Sequence, residues 1–109
     1  MADLQWNKEF ALEQTAGDEE LLAELLVLFK DSSASDFALL QQAVAAQDAE
    51  GVVRAAHSLK GASASLGIEG IRQVAMAMEA DARAASLRVA QERLGEMEEL
   101  LALMQALEN

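Results

Sequence analysis

The sequence predicts an all-α protein, an antiparallel up-down four-helix bundle preceded by a short N-terminal helix. Three observations predict it. Hydrophobic residues fill 52% of the 109 positions but aromatics only 4%, so alanine, leucine and valine must do most of the packing. Proline is absent, so no helix interior is interrupted that way. Apolar residues recur at three- and four-residue spacing in segments joined by short links, which make successive helices antiparallel. The length supports one substantial core and not two, so residues 1–109 read as a single domain.

Each element has its own signals. Asp3 is placed to cap a first helix over residues 4–14, with Trp6 and Phe10 one turn apart on one face. Thr15-Ala16-Gly17 breaks it, and Asp18 reads as the next N-cap, with Glu19 and Glu20 near the positive end of the helix dipole. Leu21, Leu22, Leu25, Leu28 and Phe29 follow at amphipathic spacing. The polar residues 31–36 read either as a turn or as an exposed patch in one long helix; they contain neither Gly nor Pro, which favours continuity, with room for a kink, through Phe37, Leu40 and Val44 to about Ala46. Asp48 caps a helix over residues 49–66 whose inward stripe is Val52, Ala56, Leu59, Ser63 and Leu66, and Gly67 fits a left-handed terminating position. Residues 69–84 carry Ile71, Val74, Ala75, Met78 and Ala82 inward. Ser86 is placed to cap a last helix over residues 87–107, with Ala90, Leu94, Met97, Leu101 and Met104 inward. Met76, Met78, Met97 and Met104 read as core filler.

Composition excludes several classes of function. A formal net charge of −11 argues against nucleic acid or an anionic membrane surface as partner. One histidine and no cysteine leave no metal site and no thiolate chemistry. No apolar run is long enough to span a bilayer and no secretory leader is evident, so the expectation is a soluble cytoplasmic protein. The charge is uneven. Residues 50–72 hold two acids (Glu50, Glu69) against three bases (Arg54, Lys60, Arg72), a net +1, so the remainder carries −12.

The lone histidine lies in that stretch, within Ala55-Ala56-His57-Ser58-Leu59-Lys60-Gly61. His57 falls one position round from the apolar stripe, at the edge of the buried face. Imidazole can act as a neutral nucleophile near pH 7. Lys60, three residues on, reaches the same space with an ammonium for an anion. Gly61, four on, removes bulk where another molecule would approach, and a helix-interior glycine costs about 1 kcal/mol relative to alanine. Ala64 lies on the same face and keeps it flat, or is a plain helix former. Arg54 is either a second helper for that anion or a surface charge. Ser63 can bond a carbonyl one turn back.

These residues resemble the histidine-containing phosphotransfer (HPt) domain family of bacterial phosphorelays, over about residues 4–107. The resemblance is carried by His57-Ser58-Leu59-Lys60-Gly61-Ala62-Ser63, by Leu66-Gly67, by Met78-Glu79 in the following helix, and by Phe29 and Asp48. It implies that His57 is the phospho-acceptor, exchanging a phosphoryl group with receiver-domain aspartates. It also implies that Lys60 steadies that group, that Gly61 admits the receiver, and that Glu79 bonds the other ring nitrogen. A carboxylate accepting Nδ1–H would leave Nε2 with a free lone pair. Mg²⁺ would come with the receiver, so no cofactor is expected on this chain. Gly67-Ile68-Glu69-Gly70 matches no phosphate-loop pattern, so no kinase activity of its own is expected. The expected partners are response-regulator receiver domains and a hybrid sensor kinase, with the chain acting as a monomer. The alternatives are an adaptor bundle in which His57 is never phosphorylated, and the phospho-accepting domain of a hybrid or chemotaxis-type kinase. Met1 and the fit to one domain favour a free-standing protein.

Overall fold

In a computed structural model of the chain, which describes residues 2–107, five helices follow one another: α1 (Lys8–Gln14), α2 (Glu19–Ala45), α3 (Ala49–Ser65), α4 (Glu69–Arg83) and α5 (Arg88–Ala106). The last four form the bundle, in a molecule 41 Å along its longest axis. The central α3 packs between α2 and α4, and α5 closes the core against α4 and α2. Val52, Ala56, Leu59, Ser63 and Leu66 are all buried, as are Ile71, Val74, Ala75, Met78 and Ala82 opposite them. Alanines among these larger side chains let the helices approach closely, and that is how a chain so poor in aromatics fills its interior.

The helix ends follow the sequence closely. Asp18 accepts the amide of Leu21 at 3.0 Å, and Asp48 accepts that of Gly51 at 3.0 Å. Each satisfies an N-terminal donor that would otherwise lack a partner. Gly67 has φ +70° and ends α3 in the left-handed region. Residues 31–36 continue the helix of α2 without a break. Their serines fold back onto the helix: Ser32 and Ser33 donate to the carbonyls of Phe29 and Lys30, at 3.4 and 3.3 Å, so Ser33 can be buried.

Several expectations are corrected. The first helix begins at Lys8 under an Asn7 cap, and the residues before it are not helical. Asp3 instead accepts the amide of Gln5, which has φ +48°. The freed backbone pairs with the α3–α4 turn through Asn7 N to Gly67 O at 2.9 Å and Gly70 N to Leu4 O at 2.7 Å. Trp6 donates its indole N–H to the Leu66 carbonyl at 3.0 Å. Tertiary pairing across the bundle end outcompeted a local helix. Leu87 takes the N-cap position of α5, but the Ser86 hydroxyl accepts the amide of Arg88 at 3.3 Å, the bond expected of a capping side chain. Ser86 also donates to Asp81 Oδ2, and that same carboxylate oxygen accepts the amide of Val89, so the preceding helix shares in capping the following one. Leu94 is half-buried and packs against the edge of the core, and Leu100 is buried within it. Leu21, Leu28 and Met76 are exposed.

Candidate functional site

His57 sits midway along α3, one position off its buried stripe, and its side chain is 64% exposed. Met78 and Glu79 on α4 face this turn of α3, with Met78 fully buried and Glu79 only 4% exposed. Glu79 is thus a carboxylate inside the bundle wall, and such a group must be paired. It is paired three ways. His57 Nδ1 lies 2.9 Å from Oε2, Arg83 Nη2 2.7 Å from the same oxygen, and Lys60 Nζ 2.5 Å from Oε1. Two cations and a ring N–H hold the carboxyl well below its ordinary 4.5, at about 2, with the Lys60 contact the largest cause and burial opposing it.

The tautomer follows. An ionised carboxylate only accepts, so the ring nitrogen facing it must carry the proton. Nδ1–H points inward at Glu79, and in the neutral imidazole Nε2 keeps its lone pair on the other side of the exposed ring. That form is held in one orientation from behind and is open to attack an electrophile in front.

Lys60 is one-third exposed and its ammonium turns inward to Glu79 rather than outward. Its i+3 spacing from His57 keeps the exposed edge of the ring within its reach. Gly61 is exposed, and a Cβ built there would meet nothing within 4 Å. Close helix packing therefore does not require a glycine at this position. Ala64, further along, is half-buried. Arg54, one turn before His57, is exposed and makes no ion pair with any described residue. Ser63 is buried and donates to Leu59 O at 2.7 Å.

Two features of the site were not legible from spacing. Lys60 bonds Glu79, a contact between helices that no i,i+3 rule on one helix can reveal. Ser58, beside His57, donates to Asp36 Oδ2 of α2 at 2.6 Å. The pairing of Arg83 with Glu79 had a signal in their i,i+4 spacing. Among the described residues no group of three His, Cys, Asp or Glu side chains could hold a metal ion. No described helix is long and apolar enough to cross a membrane.

Comparison with known proteins bears on this geometry. The family model of the Hpt domain matches residues 24–109. The crystal structure of histidine-containing phosphotransfer protein B (HptB) from Pseudomonas aeruginosa PAO1 superposes with a TM-score of 0.85 at 25% identity, covering 93% of this chain and 88% of that one. The HPT domain of a sensor hybrid histidine kinase from Shewanella shares the fold, with a TM-score of 0.76 at 21% identity, covering 94% of this chain and 93% of that one. No curated protein matches the sequence.

Proposed function

The chain belongs to the Hpt domain family, and from that membership we propose that His57 is the residue through which it carries a phosphoryl group. Histidine phosphotransfer in a phosphorelay is the function of the chain, which makes it a phosphocarrier module. The single observation that supports His57 most strongly is its inward Nδ1–H contact to the buried Glu79, which leaves Nε2 as the exposed nucleophile.

The chemistry fits these residues. Nε2 attacks the phosphorus of a receiver acyl phosphate, and the N–P bond forms as the P–O bond to the aspartate breaks. The bonding pair leaves with that carboxylate. Nδ1 keeps its proton, so the ring becomes formally cationic, and Glu79 stabilises it across the 2.9 Å contact. Lys60 offsets the charge of the arriving phosphoryl group, a charge-assisted contact worth about 1.5–3 kcal/mol. Transfer of this kind depends mainly on positioning and charge neutralisation. The carrier needs no nucleotide site or metal of its own in this reading, because the receiver brings Mg²⁺ with its aspartate. Gly61, Ala64 and Arg54 line the approach taken by the receiver. The partners are response-regulator receivers and a hybrid sensor kinase, met by a monomer in the cytoplasm.

Transfer from phosphorylated receiver domains tests the assignment. Wild-type protein should accept acid-labile, base-stable label, and folded His57→Gln should accept none. Acid-labile label retained by that variant would refute it. An adaptor would bind receivers without accepting label in either form.

A further inference from the structure

Lys60 and Arg83 hold the same buried carboxylate, but they hold different oxygens. Lys60 has Oε1 to itself, whereas Arg83 shares Oε2 with the ring nitrogen of His57. The two cations also come from different places. Lys60 is on α3, one turn from His57, so a phosphoryl group on Nε2 would lie within its swing. Arg83 is on α4, one turn beyond Glu79, with a planar fork suited to a carboxylate.

Arrival of a phosphoryl dianion sets these roles in conflict. An ammonium on a flexible stem moves toward the stronger anion, and Lys60 then leaves Glu79. Without Arg83, a carboxylate 4% exposed would then face only the phosphorylated ring, whose formal positive charge is itself offset by the phosphoryl dianion, and would be poorly compensated. It would hold Lys60 back, or turn toward it and away from the ring. We infer that Arg83 is a positioning residue, keeping the Glu79 carboxylate compensated and aimed at His57 Nδ1 while Lys60 turns to the phosphoryl group. The inference rests on His57 being the phospho-acceptor. In it Arg83 touches neither the phosphoryl group nor the receiver and acts only through Glu79. Its own side chain is 61% exposed, so its removal leaves the core packing in place.

Single-turnover transfer from a phosphorylated receiver, with receiver affinity measured separately by calorimetry, tests this on wild type, Arg83→Ala, Arg83→Lys, Glu79→Gln and the Arg83→Ala/Glu79→Gln double variant. Arg83→Ala should slow transfer within the complex by about tenfold, the equivalent of one decade in barrier terms, at unchanged affinity. Arg83→Lys should recover most of that rate. In the Glu79→Gln background, loss of Arg83 should slow transfer by less than about twofold, because residues acting through one another are not additive. A loss undiminished in that background would mean that Arg83 contacts the phosphoryl group directly. A loss in affinity would make it a docking residue, and a wild-type rate in Arg83→Ala would leave it a surface charge. Each of these overturns the inference. Failure of the underlying reading looks different, since wild-type protein would then accept no phosphoryl group at all.

Discussion

Glu79→Gln is the substitution whose effect on stability can be worked most fully from the structure. The folded carboxyl lies at about 2 against an ordinary 4.5, so folding favours its ionised form. A depressed carboxylate contributes stability that is fully present above its unfolded value and lost as pH falls toward the folded one. The window is therefore about pH 4.5 down to 2. At about 1.4 kcal/mol per tenfold in proton affinity, the full linkage is of order 3 kcal/mol. That is an upper bound, because Arg83 is 61% exposed and Lys60 32%, and both regain water when the carboxylate is removed. The amide also keeps one acceptor for His57. The expected loss at pH 7 is about 2 kcal/mol, or about 9 °C in Tm for a chain of this length. The assay is urea denaturation of wild type and Glu79→Gln from pH 7 to pH 2. The other acids titrate alike in both proteins and cancel in the difference. That difference should be greatest above pH 4.5 and shrink toward zero near pH 2. Parallel curves across the whole range would refute the reasoning, because the three contacts would then not favour the ionised carboxylate.

Other substitutions test separate parts of the molecule. Lys60→Ala should slow transfer roughly ten- to a hundredfold, the rate equivalent of a charge-assisted contact of about 1.5–3 kcal/mol, and unchanged single-turnover kinetics would reduce Lys60 to a partner of Glu79. Gly61→Gln should melt at or above the wild-type temperature, since a side chain there meets open space and a helix gains up to ~1 kcal/mol without its glycine. It should nonetheless bind receivers poorly by calorimetry, and wild-type affinity would remove Gly61 from the docking face. Gly70→Ala should displace the N-terminal segment, because its Cβ would run into the backbone carbonyls of Asp3 and Leu4. Trp6, the sole tryptophan, should then report a red-shifted emission as its bond to Leu66 is lost, and an unshifted spectrum would show that the segment can adjust.

What the sequence revealed, and what it withheld, divides by the range of the interaction. The caps at Asp18 and Asp48, the left-handed Gly67 and the inward stripe of α3 are local or periodic, and each could be read directly. The continuity of α2 through residues 31–36 was legible from what is missing there, namely Gly and Pro. Two of the failures come from contacts between one element and another. Residues 4–7 have a plausible helical pattern, yet they pair with a turn some sixty positions away. Ser86 accepts the amide of Arg88 as its place before a helix suggests, but the next amide, of Val89, goes to Asp81 from the preceding helix. At the site, the positions of His57, Lys60 and Gly61 were legible from spacing, and that of Glu79 from resemblance. The convergence of His57, Lys60 and Arg83 on one carboxylate depends on how α3 and α4 face each other, which no single-helix rule encodes.

Because the chain has one histidine, ¹⁵N-histidine labelling puts a single imidazole in the spectrum, and NMR of the receiver-phosphorylated protein tests the central claim most directly. The expected result is ³¹P coupling to Nε2 of His57, with Nδ1 still protonated and bonded to Glu79. Phosphorus coupled to Nδ1, or a phosphorylated protein whose imidazole signals do not move, would contradict it.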